Sequence, residues 1–281
     1  MVALDVTPLV AADSVLTPLQ AVVLGAVQGL SELLPISSSA HLYLVPTLLG
    51  WPYAGVAFDV ALHAGTLVAL LVAFFGDWLR LAREIFSRDA QVRTEARTML
   101  GAIIVATVPA LVAGRLLGEL EERLRSVPLQ ASMLLIFGIV LWLADRFSGP
   151  GRDRRAPGWG AALAIGFSQC LALVPGVSRS GITLTAGRLA QLSRVSAARF
   201  SFMIAIPLVL AAVLNTTLLG SRDWMHQMPL STLGIGVASA AVFGLISIRF
   251  FLGLMRRAGL GGFALYRCVV ALGLFVWAAK H

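Results

Sequence analysis

Six long apolar segments limit this chain to one architectural class, the helical membrane proteins. They lie at about 56–76, 98–118, 129–145, 197–219, 229–252 and 260–279. Each is close to the ~20 residues that an α-helix needs to cross a hydrocarbon core about 30 Å thick. Of the 281 residues, 58% are hydrophobic and only 13% are charged, whereas soluble domains are roughly 25% charged. The composition therefore excludes a soluble enzyme, a disordered chain and a disulfide-stapled scaffold.

The basic residues indicate how the chain is oriented rather than what it binds. Of the 22 basic residues, 21 are arginines, and eleven of these lie in the predicted loops 77–97, 146–157 and 253–259. The loop at 119–128 carries more Glu than Arg, and 220–228 carries a single arginine. Because cytoplasmic loops are enriched in Lys and Arg, the first three loops are predicted to be cytoplasmic and the other two external. The net charge of +8 is thus a topology signal, and we expect no nucleic-acid partner. The first fifteen residues carry no basic residue, so no cleaved signal peptide is expected.

Two further apolar stretches, 16–50 and 158–193, are interrupted by Pro, Gly and Ser and do not form single spans. The orientation of the flanking spans requires each stretch to enter and leave on the same side of the membrane. We therefore predict two re-entrant helical hairpins, the first inserted from outside and the second from the cytoplasm. The predicted fold class is an all-α polytopic membrane protein with six transmembrane helices and two re-entrant hairpins.

The two interrupted stretches resemble each other, which indicates an inverted internal repeat. Gly25-Ala-Val-Gln28 matches Gly166-Phe-Ser-Gln169 at an offset of 141, and Pro35-Ile-Ser-Ser38 matches Pro175-Gly-Val-Ser178 at an offset of 140. Many transporters build their binding sites from inverted repeats with irregular backbone near the midplane. We predict a single integral membrane domain, 1–281, with repeats at about 16–145 and 158–279. The alternative is that two Gly/Ser-rich helix pairs merely pack closely.

The first hairpin contains polar residues that an apolar segment does not need for folding. A charge inside such a segment costs roughly 2.5–3.5 kcal/mol, so Glu32 requires a reason. Gln28 lies one helical turn earlier on the same face. After Pro35 comes a hydroxyl cluster followed by an imidazole: Ser37, Ser38, Ser39 and His41. Such groups at a helix break can bind a divalent cation or activate a nucleophile. The alternative is an ordinary capped helix end, with Ser37 or Ser38 as the N-cap.

The second hairpin contains an arginine in a loop punctuated by glycines. Arg179 lies between Ser178 and Ser180, and Thr183 follows. The guanidinium group forms a rigid fork suited to phosphate oxygens, and hydroxyl groups add further donors. A helix predicted to begin near Ile182 would direct its N-terminus at the same point. This pattern predicts an anion site and, together with the first hairpin, phosphoryl chemistry on an amphiphile. The alternative is that Arg179 anchors to the cytoplasmic interface.

Three other charged or titratable residues lie near the ends of spans. Asp59 and His63 are four residues apart, so they face the same way. They either join the site or form a polar pair at the helix end. Asp145 lies at the end of another span, where reaching the membrane interface suffices to explain it.

The polar segments of both hairpins resemble the two signature segments of a known family. Gln28-Gly-Leu-Ser-Glu-Leu-Leu-Pro-Ile-Ser-Ser-Ser-Ala-His41 and Pro175-Gly-Val-Ser-Arg-Ser-Gly-Ile-Thr183 are similar to those of the undecaprenyl-pyrophosphate phosphatases, also called bacitracin-resistance proteins. The resemblance covers nearly the whole chain. It implies hydrolysis of undecaprenyl pyrophosphate to undecaprenyl phosphate and phosphate, which recycles the lipid carrier for peptidoglycan synthesis. It also implies a divalent cation, Mg²⁺ or Ca²⁺, and a multi-pass location among the lipids of the bacterial inner membrane.

The resemblance also implies roles for individual residues. The catalytic set is Ser38, Glu32, His41 and Arg179. The residues expected to bind the substrate phosphates are Ser37, Ser39, Ser178, Ser180 and Thr183. The metal ligands are expected to be Glu32 and Gln28, although many members have glutamate at the position of Gln28, and an amide supplies no charge to a metal. Ser38 is expected to attack the terminal phosphorus, with nucleophilic attack by His41 as the competing version.

Two other function classes are compatible with parts of the pattern. A transporter or flippase of polyprenyl phosphate would also use inverted re-entrant repeats. A type-2 phosphatidic acid phosphatase needs an arginine–histidine pair, but no histidine follows Arg179 until His226, so this class is discounted. We expect the site to open to the extracytoplasmic side, and homodimerisation is a further hypothesis.

Overall fold

The computed structural model describes residues 16–216 and 229–280. The helices of this part, in chain order, are α1 Pro18–Leu33, α2 Ser38–Leu49, α3 Val56–Glu84, α4 Ala90–Arg123, α5 Val127–Phe147, α6 Trp159–Cys170, α7 Arg179–Leu189, α8 Arg194–Leu214, α9 Leu230–Met255 and α10 Gly261–Ala278. A single 3₁₀ turn, Leu171–Leu173, follows α6. The predictions about residues 1–15, about the loop at 220–228 and about His226 concern segments that lie wholly or largely outside the described residues.

Six helices of the described part are long and apolar enough to cross a membrane, which makes the chain a polytopic membrane protein. They are Phe58–Glu84, Ala90–Leu117, Val127–Phe147, Arg194–Leu214, Leu230–Met255 and Gly261–Ala278. The six spans predicted from hydropathy are confirmed. The predicted loop at 77–97 is much shorter than expected, because α3 runs to Glu84 and α4 begins at Ala90. Five arginines of this region therefore lie mostly on helix ends rather than in a loop.

Both interrupted stretches form a helix, a break and a second helix. The first break separates α1 from α2, and Pro35 within it lacks the N–H that would continue α1. In the second break Gly176 adopts a φ of 98°, which a glycine tolerates because it has no Cβ. The helix after this break begins at Arg179, three residues earlier than the predicted Ile182. Arg179 is consequently the first residue of its helix.

The first helix of each interrupted stretch packs closely against one long helix through glycine. A Cβ atom on Gly25 of α1 would lie 2.3 Å from the carbonyl oxygen of Gly236 in α9. A Cβ on Gly166 of α6 would lie 2.9 Å from the carbonyl oxygen of Ala106 in α4. Small residues at such contacts let helix backbones approach closely, which is how helices commonly pack in membranes. The long helices α4 and α9 therefore hold α6 and α1, respectively.

A buried ionic cluster ties together the other ends of several helices. The Asp145 carboxylate accepts hydrogen bonds from Arg188 Nε at 2.9 Å, Arg194 Nε at 2.8 Å and the Leu260 N–H at 2.9 Å. Asp145 is only 6% exposed and Arg188 is fully buried. The interpretation of Asp145 as an interface residue is therefore wrong. It joins α5 to the end of α7, the start of α8 and the turn before α10.

Candidate active site

The two breaks meet through an ion pair and a hydrogen bond. Arg179 Nη2 lies 3.0 Å from Glu32 Oε1, and the two side chains are 11% and 6% exposed. Ser180 Oγ donates a hydrogen bond of 2.9 Å to the carbonyl oxygen of Leu34. Glu32 lies in the last turn of α1, and Arg179 and Ser180 open α7. The charged residues predicted on separate hairpins thus form one buried site.

Ser38 is placed for activation as a nucleophile. It is the first residue of α2, and its Oγ lies 2.5 Å from Glu32 Oε2. A hydroxyl this close to a carboxylate can give up its proton as it attacks, which is the usual arrangement of a nucleophile and its base. The Ser38–Glu32 pair therefore has the geometry of a nucleophile and its base.

Glu32 has two more neighbours on its own side of the site. Gln28 Nε2 lies 3.4 Å and His63 Nε2 lies 3.3 Å from Glu32 Oε2. The other ring nitrogen of His63, Nδ1, lies 2.7 Å from the carbonyl oxygen of Asp59. The Asp59 carboxylate instead accepts from Arg125 Nη1 at 3.0 Å. Of the predicted Asp59–His63 pair, only the histidine reaches the site.

The His41 side chain lies near the Ser38–Glu32 pair, but its ring nitrogens contact other groups. Its Nδ1 lies 2.7 Å from the carbonyl oxygen of Ser37, and its Nε2 lies 2.8 Å from the hydroxyl of Tyr266. The two rings stack at a centroid distance of 5.8 Å. Both ring nitrogens are therefore occupied by groups other than Ser38 and Glu32. Tyr266 belongs to α10 and gave no signal in the sequence.

The serines of the two breaks adopt the same local structure. Ser37 and Ser178 are the N-caps of α2 and α7, with positive φ angles of 77° and 74°. The Oγ of Ser37 lies 3.3 Å from that of Ser39, and the Oγ of Ser178 lies 3.2 Å from that of Ser180. These pairs are 141 residues apart (178 − 37 and 180 − 39), so Ser178 matches Ser37 rather than Ser38. Arg179 is then the residue that corresponds to Ser38.

The hydroxyl of Thr183 is used inside the protein. It donates into its own helix, 3.0 Å from the carbonyl oxygen of Arg179, and lies 2.6 Å from Ser201 Oγ. Arg179 Nη1 in turn lies 3.4 Å from the carbonyl oxygen of Ser201. Thr183 and Ser201 thus contact the backbone carbonyl and Nη1 of Arg179. The Nε and Nη2 atoms of Arg179 contact Glu32.

Arg267 is a buried charge at the site that the sequence interpretation missed. It is fully buried within α10 and donates hydrogen bonds to the carbonyl oxygens of Pro35 at 3.2 Å, Gly176 at 2.9 Å and Val177 at 3.0 Å. A signal for it existed, because a lone arginine in an apolar span is as costly as Glu32 is in its own segment.

The oxygen atoms at Glu32 fit a cation that is shared with a substrate. Across residues 16–216 and 229–280, no group of three or more His, Cys, Asp or Glu side chains could hold a metal alone. Gln28 Oε1, however, is buried without a hydrogen-bond partner in that part of the chain. Mg²⁺ is commonly bound by one or two carboxylates together with substrate phosphates. Gln28 and Glu32 fit that kind of incomplete protein ligand set.

The arrangement as a whole suits attack on a phosphate group. The Ser38 hydroxyl group contacts the Glu32 carboxylate, and Arg179 adds a cation. Both α2 and α7 begin at the site, and helix N-termini carry unsatisfied N–H groups and a partial positive charge that favour anions. Guanidinium and helix-terminal donors are the groups that stabilise charge on the oxygens of a reacting phosphate.

The chain is similar to a family of known proteins over almost its entire length. The family model of the bacitracin resistance protein BacA matches residues 21–273. An undecaprenyl-diphosphatase of Gemmatimonas aurantiaca is 45% identical over 266 residues, covering 94% of this chain and 98% of the relative. Undecaprenyl-diphosphatases of Trichlorobacter lovleyi and Desulforudis audaxviator are 43% and 42% identical and cover 91% and 94% of this chain, and 95% and 98% of their own. The resemblance seen in the two polar segments is thus confirmed, and the chain belongs to the bacitracin resistance protein BacA family.

Proposed function

We propose that this chain is a membrane-embedded phosphatase that hydrolyses undecaprenyl pyrophosphate to undecaprenyl phosphate and phosphate. The observation that carries the proposal is the placement of Glu32 between Ser38 Oγ, at 2.5 Å, and Arg179 Nη2, at 3.0 Å. The names of the relatives support the same activity. The reaction would recycle the lipid carrier for cell-wall synthesis and confer bacitracin resistance.

Hydrolysis would proceed in two displacement steps on the terminal phosphorus. Ser38 Oγ forms a bond to this phosphorus as Glu32 takes the hydroxyl proton; the bond to the leaving undecaprenyl phosphate breaks, and Glu32 passes the proton to that phosphate. Water then attacks the phosphoserine as Glu32 takes a proton from it, the bond between the phosphorus and Ser38 Oγ breaks, and Glu32 returns this proton to Ser38. Arg179 leaves part of its contact with Glu32 to bind the phosphate oxygens, where charge accumulates.

The remaining polar residues would position these groups and the substrate. Ser37, Ser39, Ser178 and Ser180 shape the two helix starts that face the phosphates, and Thr183 supports Arg179. His41 would hold the Ser37 carbonyl group, next to the nucleophile, through its Nδ1, and to protonate the leaving phosphate its Nε2 would have to leave the Tyr266 hydroxyl. A phosphohistidine at His41 is less well supported, because both of its ring nitrogens contact groups other than Ser38 and Glu32.

A divalent cation, Mg²⁺ or Ca²⁺, would be held by Gln28 and Glu32 together with the diphosphate. When bound, it would neutralise part of the substrate charge and stabilise the leaving group. The support is the unpaired buried Oε1 of Gln28 beside the single carboxylate of the site.

The paired breaks support two re-entrant hairpins within an inverted repeat. Gly25 and Gly166 are 141 residues apart, and each packs its helix against a long helix outside its own hairpin, α9 and α4 respectively. The matching serine geometry of the breaks has the same offset. Such a repeat would place the site near the midplane of the bacterial inner membrane. We further propose that it opens to the extracytoplasmic side.

A transporter or flippase of polyprenyl phosphate is not favoured. Inverted repeats fit both classes, but a transporter has no need of a hydroxyl group in contact with a carboxylate. The relatives are named as diphosphatases and not as carriers.

The test is phosphate release from undecaprenyl pyrophosphate by purified protein in detergent. We expect wild-type protein to release phosphate, a chelator to abolish release, and Arg179→Ala to lower it by at least 100-fold. Arg88→Ala, at an exposed position on the short turn before α4, serves as the matched control and should retain activity. Binding of undecaprenyl phosphate without any hydrolysis of the pyrophosphate would instead identify a carrier.

The orientation is tested with single cysteines in a background that lacks Cys170 and Cys268. Ser126→Cys, in the exposed turn before α5, and Arg88→Cys, in the turn before α4, lie on predicted opposite faces. A membrane-impermeant thiol reagent applied to intact cells should label the first and not the second. The reverse pattern would invert the proposed topology.

A further inference from the structure

The charge of Arg267 is not balanced by any carboxylate in the described part of the chain. The side chain is fully buried in α10, and its hydrogen bonds all end on backbone carbonyl oxygens. Burying a guanidinium group without a counter-ion costs folding free energy unless its N–H donors are hydrogen-bonded. A charge kept at such a position therefore suggests a function. The identity of the carbonyl groups indicates what this charge does.

The carbonyl groups belong to three separate parts of the fold. Pro35 lies in the first break, Gly176 and Val177 lie in the second, and Met133 and Leu134 lie in α5. Carbonyl groups at a helix break have lost their intrahelical donors and need others. A guanidinium group has five N–H donors in a fixed plane. One side chain therefore satisfies both breaks at once and fixes them against α5.

We propose that Arg267 is a positioning residue that holds the two breaks in register, so that Ser38 and Arg179 approach the same phosphorus. This inference rests on the proposed function. Pro35 lies three residues before Ser38, and Val177 lies two residues before Arg179. A shift of either carbonyl group would move the start of the helix that follows it. A misplacement of about 1 Å can lower turnover roughly 100-fold.

The same contacts give Arg267 an electrostatic role. Carbonyl oxygen atoms in the two breaks carry partial negative charge and would repel a diphosphate bound nearby. Arg267 donates to three of them, at Pro35, Gly176 and Val177, so the substrate would meet the positive helix starts without these uncompensated carbonyl groups. Lysine would keep the charge but has three donors that radiate from one point, and it cannot bridge the same carbonyl groups.

Arg188 provides a matched control for this role. It is also fully buried, and it donates to the carbonyl oxygens of Leu192 and Pro150 and to the Asp145 carboxylate. These contacts lie in the ionic cluster at the other end of α7 rather than at the breaks. An Arg→Lys substitution there removes a similar number of buried hydrogen bonds without touching the site.

The deciding experiment compares the kinetics of wild type, Arg267→Lys and Arg188→Lys on undecaprenyl pyrophosphate, with folding followed by thermal denaturation. We expect Arg267→Lys to lower kcat about 100-fold with KM changed less than threefold. Arg188→Lys should keep kcat within threefold of wild type, although it should lower the melting temperature about as much as Arg267→Lys does. A kcat for Arg267→Lys that is reduced no more than that of Arg188→Lys overturns the proposal. An inactive wild type would instead overturn the proposed function.

A second variant decides the question if Arg267→Lys does not fold. A Cβ atom on Gly138 would lie 3.1 Å from Arg267 Cβ, so Gly138→Ala pushes Arg267 from the side of α5 without altering its charge. We expect kcat to fall three- to tenfold, whereas Gly114→Ala, where a Cβ meets open space, should leave kcat unchanged. Equal kcat values for these two alanine variants would overturn the proposal.

Discussion

The two breaks end in capping serines with the same backbone geometry but carry opposite chemistry. Each has a serine N-cap with φ near 75° and a second serine two residues later, with the two hydroxyl oxygens 3.2–3.3 Å apart. Between these serines the first break carries Ser38, and the second carries Arg179. One helix start therefore presents a hydroxyl group, the proposed nucleophile, and the other presents a cation.

The difference extends to the helices before the breaks. At the offset of 141, Glu32 corresponds to Leu173, whereas Gln28 corresponds to another buried glutamine, Gln169. Of the two breaks, only the first therefore has a carboxylate at this position, the proposed base. We infer that the backbone of both breaks orients groups towards a phosphate. The side chains of Ser38, Glu32 and Arg179 then determine whether a break reacts with the phosphate or binds it.

The largest expected effect comes from removing the nucleophile of the first break. Ser38→Ala should lower kcat by about 1,000-fold or more and leave KM nearly unchanged, because the phosphate-binding groups remain. When the reaction is quenched during turnover, wild-type protein should carry covalently bound phosphate and the Ser38→Ala variant should carry none. Thr47→Val, which removes another hydroxyl of α2, is the control. Turnover near the wild-type rate in Ser38→Ala would end the assignment of the nucleophile.

The next effect concerns the cation of the second break. Arg179→Lys keeps the charge but loses the fork that contacts Glu32 and, in the proposed complex, two phosphate oxygens. We expect kcat/KM to fall about 10- to 100-fold, measured by phosphate release at several substrate concentrations. If lysine supports wild-type kcat/KM, Arg179 acts as a simple point charge and the two-oxygen contact is wrong.

A smaller effect should distinguish the two corresponding glutamines. Gln28→Glu adds a carboxylate beside Glu32 and should lower the Mg²⁺ concentration for half-maximal activity roughly three- to tenfold. Gln169→Glu makes the same change where no second carboxylate corresponds to Glu32, so the Mg²⁺ dependence should not move. A titration of activity against Mg²⁺ measures both variants. Equal shifts would contradict a cation site confined to the first break.

The smallest effect concerns the strained serines themselves. A positive φ costs a non-glycine residue about 1 kcal/mol or more, so glycine should relieve strain at both positions. Ser37 makes no side-chain cap hydrogen bond, whereas Ser178 Oγ accepts from the Gly181 N–H at 3.1 Å. We expect Ser37→Gly to stabilise by roughly 0.5 kcal/mol and Ser178→Gly to stabilise less, because it also loses a cap worth a few tenths. Denaturation in detergent micelles measures the difference, and a more stable Ser178→Gly would reverse the argument.

Much of this fold could be predicted because membranes impose simple rules. Span length follows from membrane thickness, and Pro35 and Gly176 mark the breaks because proline lacks the N–H that continues a helix and glycine readily adopts a positive φ. Glu32 and Arg179 were identifiable because charges in apolar segments are costly. Local sequence therefore predicted the elements and the two charged residues that pair between the breaks.

The rest depends on contacts between distant parts of the chain. Tyr266 reaches His41 across 225 positions, and Arg267 reaches Pro35 across 232. The role of His63 depends on how α3 packs beside α1, which periodicity alone does not give. The sequence analysis placed the start of α7 near Ile182. The helix begins at Arg179 instead, because Ser178, the residue directly before it, is the N-cap.

The position of Arg267 near the end of the sequence also governs when the site can form during synthesis. The ribosome has made Glu32 and Ser38 before most of the protein exists. The guanidinium group that satisfies both breaks enters the membrane only with the last helix, as does the Leu260 N–H that completes the Asp145 cluster. A nascent chain halted before α10 would therefore contain Glu32, Ser38 and Arg179 without the guanidinium group that bridges the two breaks.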